Sequence, residues 1–373
     1  MFLSKITVTD FKNIAHSDLD FSHKINCISG NNGEGKTNLL DAVYYLCMTK
    51  SYFHFPDSFS ISHGCTATAL LGCYTMEDGT INRISIGLYD QKEGAENKVI
   101  KRNGKIYKRL ADHIGLFPIV MVSPSDTVLI NQPAQERRRF INALLSQVDK
   151  EYLHQVLRYN KILAQRNKLL KDMEPNEELL SALDSGLSES ASYIFDARQR
   201  LCNSLNQTIS EYYRQLSGGS ENVRITYSSD LYKGKLAQLL QNSRERDKML
   251  KHTTCGVHRD DILFEIGNEE FYPVRRCASQ GQQKCFLIAL KLAQFSIMKS
   301  LNGDVAPILL LDDIFDKLDM GRVEYLLQLV SGNSFGQIFI TDSNKVRMKN
   351  LIDKIGGECK VFEVEKGVIR EVQ

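Results

Sequence analysis

Two halves of what chemistry would make a single site stand far apart in this chain. Near the N-terminus an apolar stretch, INCIS, runs into GNNGEGKT, Gly30 to Thr37, and then into the helix-like run NLLDAVYYL. Far downstream the chain reads ILLLDDIFDKLD, four apolar residues from Ile308 to Leu311 ending in Asp312 and Asp313. A glycine-rich turn between strand and helix is a phosphate cradle, and paired carboxylates at a strand end are costly without a cation. A fold that unites them must send the middle of the chain out of the core and bring it back. That requirement constrains the architecture more than any compositional property.

In the first half, Gly30, Gly33 and Gly35 let the backbone turn its N–H groups inward around a phosphate, and the following helix adds the positive end of its dipole. Lys36 can reach the β- and γ-phosphates, and the Thr37 hydroxyl is placed to ligate Mg²⁺. The expected ATP-binding set is Gly30, Asn31, Asn32, Gly33, Glu34, Gly35, Lys36, Thr37 and Asn38. In the second half, Asp312 is assigned to water-mediated Mg²⁺ contact and Asp313 to polarising the attacking water. Catalysis is thus expected from Lys36 and Asp313, with metal contacts from Thr37 and Asp312. Asp319, in DKLD, is expected on the loop leaving this site, as a contact across a dimer interface.

A third segment decides the subclass. Ser279, Gln280, Gly281 and Gln282 precede the apolar run CFLIALKLAQFSIM, so a hydroxyl and backbone N–H groups again face outward at a helix start. One nucleotide needs one such end. Two ends in one chain suggest that the second caps the γ-phosphate held by another copy's Lys36, giving two sandwiched ATPs in a two-fold dimer. The three segments together predict an ATPase of the ATP-binding-cassette type.

At 373 residues, 42% hydrophobic and 25% charged, the composition is that of a soluble globular protein. No segment approaches 18 consecutive apolar residues, and the N-terminus MFLSKITVTDFKN lacks a signal-peptide core, so a cytoplasmic protein without a membrane partner is expected. Nine cysteines without CxxC spacing give no support to structural zinc or a disulfide framework. The net charge of +2 is uninformative, and any nucleic-acid surface must come from local clustering.

Runs such as TALLGCYTM and RISIGLY predict strands before the middle region, and the NG of KVIKRNGKIYKRL predicts a two-residue hairpin turn. Between Pro133 and Pro175 there is neither glycine nor proline, and Ile141, Leu145, Val148, Tyr152, Val156, Tyr159 and Leu163 recur at helical spacing, which predicts one long amphipathic helix. A second stripe from Leu183 to Leu216, stopped by Gly218 and Gly219, completes an antiparallel hairpin. The expected organisation is an α/β ATPase lobe from residues 1–125 and 250–373, with an inserted, mainly helical lobe at 126–249. Two basic clusters are candidates for a DNA backbone or are solvated faces: Lys101, Arg102, Lys105 and Lys108 in the hairpin, and Arg138 and Arg139 at the start of the helical region.

Beyond these motifs, FKNI, VSPSD, ERRRFINALL, YNKILAQRNKLLK, GVHRDD and ASQGQQ occur in an order that resembles the RecF family over nearly the whole chain. The resemblance implies an ABC-type lobe like the heads of chromosome-maintenance (SMC) ATPases, with a short helical lobe in place of their coiled coils. It also implies binding of ATP and of single-stranded, duplex or junction DNA, ATP-dependent dimerisation, slow hydrolysis, and work with a RecR-like mediator in loading recombinase at gapped DNA. An aspartate at 313, shorter by a methylene than glutamate, agrees with slow turnover, as of a switch. The strand QIFITDS ends without a switch histidine, leaving Thr341 or Asp342 to sense the γ-phosphate, and His258 of GVHRDD is open to a chemical or a loop-positioning role. The alternatives are a transporter-type ABC subunit, disfavoured by the split core, and a non-hydrolysing ATP-dependent DNA scaffold.

Overall fold

The computed structural model describes residues 1–90, 97–219, 221–315, 320–332, 335–349 and 358–372. It divides into two compact units, Met1–Asp126 with Gln294–Gln373, and Thr127–Ala293. In chain order the first unit begins with β1 (Phe2–Phe11), β2 (Ile14–Asp20), β3 (Ile25–Ser29), α1 (Lys36–Met48), β4 (Ala67–Thr75), β5 (Ile81–Tyr89), β6 (Lys98–Arg102), β7 (Lys105–Ile106) and β8 (Ile119–Val122). The second unit holds α2 (Val128–Asn131), α3 (Ala134–Val148), α4 (Lys150–Leu169), α5 (Glu177–Ser217), β9 (Asn222–Ser228), α6 (Leu236–Leu250), β10 (Asp261–Gly267), β11 (Phe271–Pro273) and α7 (Val274–Cys277). The helix α8 (Gln280–Leu301) carries the chain back, and β12 (Ile308–Asp312), α9 (Met320–Ser331), β13 (Ile338–Asp342), β14 (Cys359–Glu365) and β15 (Val368–Glu371) complete the first unit.

The first unit contains two sheets of different kinds. The strands β1, β4 and β5 alternate between buried and more exposed residues, and they belong to an antiparallel sheet of order β2-β1-β4-β5-β6-β7, one face of which is in the core. The strands β3, β12 and β13 are buried at every residue, as INCIS, ILLLD and IFITD must be in the middle of a parallel sheet. Its order is β15-β14-β3-β13-β12-β8, with only the β15 edge antiparallel. Register then does the work of assembly. Ser29 pairs with Asp342, Thr341 with Asp312, and Leu311 with Val122, so the ends of β3, β13, β12 and β8 reach one edge of the sheet together. Parallel open sheets bind ligands at that carboxyl edge.

Two sequence expectations are corrected in the second unit. The single helix expected between Pro133 and Pro175 is two, α3 and α4, broken at Asp149, whose backbone is extended (φ −138°, ψ 103°) and whose carboxylate accepts the Tyr152 N–H as a new N-cap. The expected return of the chain at residue 250 also differs, since residues 250–293 lie in the second unit rather than the first. The cause is strand pairing: β10 is bonded along its whole length to β9, from Asp261–Ser228 to Gly267–Asn222, which ties the segment to the helical hairpin of α4 and α5. The NG turn is as expected, with positive φ at Asn103 (50°) and Gly104 (81°), the pair of values a two-residue turn requires.

Candidate functional site

At the carboxyl edge of the parallel sheet the loop from Gly30 to Gly35 leads into α1. Gly35 has φ 120°, and a Cβ there would stand 2.8 Å from the Asn13 side chain, so both conformation and space demand glycine. Asn13 also donates to the Glu34 carbonyl (3.0 Å) and accepts from Asn38 Nδ2 (2.7 Å). It buttresses the loop from the β1–β2 turn, and FKNI was its only sequence signal. The Lys36 ammonium is buried and donates to the carbonyls of Gly30 (2.7 Å) and Asn31 (2.9 Å), spanning the mouth of the loop. Burial lowers its pKa, with Asp313 and Asp312 pulling the other way. Asn31, Asn32 and Gly33 are exposed at the tip, and the Glu34 carboxylate accepts from the Lys366 N–H.

Facing the loop, Asp312 collects hydroxyls rather than cations. Thr37 Oγ1 reaches both of its oxygens (2.9 and 3.1 Å), Thr341 Oγ1 donates to Oδ1 (2.9 Å), and Ser123 Oγ, from the end of β8, donates to Oδ2 (3.3 Å). Burial raises the Asp312 pKa, the Thr341 and Thr37 hydroxyls counter it, and Asp313 adds to it. Asp313 has φ 46°, uncommon for a residue with a side chain, and its N–H donates to Thr341 Oγ1 (2.9 Å). Among the described residues its buried Oδ1 has no hydrogen-bond partner. Of the two candidate γ-phosphate sensors, Thr341 thus touches both acids, whereas Asp342 is held by the Arg347 guanidinium.

Among the described residues no cluster of three or more His, Cys, Asp or Glu side chains could hold a metal by itself. A hydroxyl and one carboxylate, with a second carboxylate lacking a partner, is instead the donor set of a hard cation that keeps most of its water and takes phosphate oxygens, as Mg²⁺ does. The residues fit that ion. Two hydroxyls beside Asp312, those of Ser123 and Thr341, were not assigned as metal-site residues from the sequence, because each ends a different strand.

In the second unit Ser279 and Gln282 form a reciprocal cap at the start of α8. The Ser279 N–H donates to Gln282 Oε1 (2.7 Å), the Gln282 N–H to Ser279 Oγ (3.2 Å), and Gln282 Nε2 to Glu221 (2.7 Å). Ser279 and Gln280 are exposed and Gly281 is half-buried. Asp319 lies outside the described residues.

The basic candidates behave differently from one another. Lys101, Lys105 and Lys108 are exposed on the β6–β7 hairpin, while Arg102 donates to Asn82 (2.9 Å). Arg139 pairs with Glu136, and Arg138 donates to the Asp260 carbonyl (2.6 Å). His258 is mostly buried, between the Tyr159 hydroxyl (2.8 Å from Nδ1) and the Thr253 carbonyl (3.2 Å from Nε2). A carbonyl can only accept, so Nε2 carries the proton and Nδ1 accepts from Tyr159. Burial lowers the His258 pKa to about 4, leaving it neutral near pH 7. Both nitrogens are occupied in holding a loop. Among the described residues no helix is long and apolar enough to cross a membrane.

Known proteins resemble this chain along its whole length. A family model described as the RecF/RecN/SMC N terminal domain matches residues 2–370. The DNA replication and repair protein RecF of Phocaeicola vulgatus is 43% identical over 372 residues, covering 100% of this chain and 98% of that protein. The corresponding protein of Porphyromonas gingivalis is 41% identical over 370 residues, covering 99% and 100%. A solved RecF–ATP structure, described as the recombination mediator protein in the RecFOR pathway, superposes with a TM-score of 0.88 at 30% identity over 100% of this chain and 98% of that one. An Smc head bound to the C-terminal winged-helix domain of ScpA gives 0.59 at 16% identity over 100% and 97%, a likeness of fold. With the ABC-type head fold, a family model matched from end to end and full-length relatives above 40% identity, this chain belongs to the RecF family.

Proposed function

We propose that the chain is an ATP-gated, DNA-binding homodimer of recombinational repair, which closes on ATP, holds gapped DNA where a RecR-like mediator helps load recombinase, and reopens on slow hydrolysis. The observation that carries the nucleotide part is the uncompensated acid pair. Asp312 and Asp313 lie side by side at a buried strand end, no cation is bonded to either among the described residues, and Asp313 Oδ1 has no partner. Such a pair stands in a folded protein because a ligand completes it. Thr37 and Asp312 would hold Mg²⁺, which supplies positive charge to the phosphate oxygens and a partner to the acids. Lys36 would exchange the Gly30 and Asn31 carbonyls for β- and γ-phosphate oxygens, and the N–H groups of the loop and of α1 would take the remaining charge. Asp313 would accept a hydrogen bond from the attacking water, with Thr341 fixing its backbone and sensing the γ-phosphate.

The Ser279 end of α8 would cap the γ-phosphate bound by a second copy, together with Gln280, Gly281, Gln282 and Asp319. The Ser279 hydroxyl accepts from Gln282 and keeps its own proton to donate, which is the property this role needs. Lys101, Lys105 and Lys108 are the favoured backbone contacts, since they are exposed and, among the described residues, no ion pair engages them; Arg102, Arg138 and Arg139 each have an internal partner. The RecF relatives are named for DNA replication and repair, and the solved RecF for recombination mediation, which supports the pathway.

Sedimentation and DNA binding with ATP and Mg²⁺, with ADP and without nucleotide test this function, beside Lys36→Ala and Ser279→Arg. An ATP-dependent dimer that binds DNA more tightly, lost in both variants, is the expected result. A monomer indifferent to DNA in every nucleotide state would sink the clamp.

A further inference from the structure

The segment Thr253–Asp260 of the second unit has no regular secondary structure, yet it is fixed at nearly every residue. The Thr253 N–H and hydroxyl both donate to Asn167 Oδ1 (2.8 Å each), and Thr254 donates twice to Asp247. Gly256 has φ 121°, and a Cβ there would stand 2.7 Å from the Tyr159 hydroxyl. Arg198 donates to the Val257 carbonyl and to Asp260, each at 2.7 Å, and Tyr227 donates to Asp260 as well. Beneath them Arg166, fully buried, joins Asp184 (2.6 Å), Asp247 (2.8 Å) and Thr253 (2.9 Å). Buried guanidinium–carboxylate pairs are poor sources of net stability but can fix one conformation against others.

The loop presents one long side chain outward. Arg259 is exposed, while Thr253, Val257 and Asp260 on either side are buried. Among the described residues no acid is paired with its guanidinium, whereas neighbouring Asp260 and Asp261 are neutralised by Arg198 and Arg137. Arg138, bonded to the Asp260 carbonyl, adds a second positive charge close by; burial lowers its pKa, with Arg198 and then Arg259 acting in the same direction and Asp261 and Asp260 against it. The local surface is cationic, and the backbone that carries its outermost residue is fixed, the Arg259 N–H donating to the Gly256 carbonyl (2.8 Å).

We infer that Arg259 is a preorganised clamp for a backbone phosphate of DNA, presented by the Thr253–Asp260 loop. The inference rests on the DNA-binding function proposed above and assigns it a residue outside the basic hairpin. A guanidinium offers two parallel N–H donors that match a phosphodiester, and fixing its backbone beforehand removes part of the ordering cost of binding. This accounts for two buried ion networks under a loop that holds no other free charge.

The test is DNA affinity of the full-length protein with ATP and Mg²⁺, measured by anisotropy on a duplex over about 50–200 mM salt. Arg259→Ala, Arg259→Lys and, as an independent arm, Lys101→Ala are compared with the wild type, and ATP affinity and melting temperature are measured for each. The expected result is a slope of log K against log salt that is shallower by about 0.9 in Arg259→Ala, nearly unchanged in Arg259→Lys, with ATP affinity and melting temperature as in the wild type. A wild-type slope in Arg259→Ala, while the wild type binds DNA, overturns the inference alone. A slope unchanged with weakened ATP binding assigns the guanidinium to nucleotide, and one unchanged with lost binding to polyglutamate assigns it to an acidic protein; both overturn it. If the wild type binds no DNA in any nucleotide state, the proposed function fails and the inference falls with it.

Discussion

Asp312 at the phosphate-loop edge is as buried as the carboxylates of the Thr253–Asp260 loop and its support, yet the two regions treat their acids in opposite ways. In the second unit each acid faces a guanidinium: Asp184 and Asp247 face Arg166, and Asp260 faces Arg198. At the sheet edge the Asp312 carboxylate faces the hydroxyls of Thr37, Ser123 and Thr341 and is repelled by Asp313, while the nearby Lys36 ammonium is bonded to backbone carbonyls. Both regions place charge where water is scarce, so burial alone does not separate a site from a scaffold. What separates them is whether the charge is already balanced. The balanced network can fix one conformation, and the unbalanced pair is the one that, in the function proposed above, a ligand completes.

The largest effect expected from this difference is on turnover. Asp313→Asn removes the group that would orient and polarise water while keeping its shape, and should lower ATP hydrolysis by about 10²–10⁴-fold with ATP affinity retained. Steady-state phosphate release beside nucleotide binding checks it. Unchanged turnover would mean that the missing partner of Asp313 Oδ1 has another meaning, and an inert variant that still loads recombinase normally would favour a non-hydrolysing scaffold.

Stability should respond in the reverse order. Arg166→Leu leaves the buried Asp247 without a guanidinium and Asp184 with Arg244 alone, and should cost about 3–5 kcal/mol in urea unfolding. Asp312→Asn gives up charge-assisted hydrogen bonds but also the repulsion from Asp313, so it should lose no more than about 1 kcal/mol in the absence of nucleotide. Equal losses in the two variants would erase the distinction between a balanced and an unbalanced pair.

How far the sequence revealed these two regions follows from how local each is. The phosphate loop packs its chemistry into eight consecutive residues, Gly30 to Thr37, and the acid pair is adjacent in sequence at the end of one strand, so both segments stood out. Asn13, Ser123 and Thr341 converge on the site only through the β1–β2 turn and the register of the parallel strands, and their roles emerge from pairing. The motifs QRN and HRDD stand out in the sequence, yet nothing local shows that Asn167 grips Thr253 or that Arg166 reaches acids 18 and 81 residues away. The break at Asp149 did leave a trace, an acidic N-cap followed by Glu151 in the first turn, which the absence of glycine and proline masked. The second lobe boundary was hidden by the β9–β10 pairing, which has no counterpart in composition.

Acid should distinguish the regions by sign, though with a smaller effect. His258 has its pKa lowered by burial to about 4 from 6.5, so between those values the unfolded chain binds the proton more readily than the folded one. Stability is therefore undiminished above pH 6.5 and falls as pH drops toward 4, by about 3 kcal/mol at most. Protonation at Nδ1 would also turn the acceptor of the Tyr159 hydroxyl into a donor, breaking the bond that seats the loop. Asp312 works the other way: its pKa is raised by burial, so the folded state gains relative to the unfolded as pH falls and the acid is neutralised. Urea unfolding of the nucleotide-free protein from pH 7 to 4, beside His258→Gln and Asp312→Asn, separates the two contributions. His258→Gln should flatten the loss between pH 6.5 and 4, and Asp312→Asn should steepen it by removing the opposing term. If both variants keep the wild-type slope, neither group titrates as its surroundings demand, and the contrast between closed network and open site would rest on mutational stability alone.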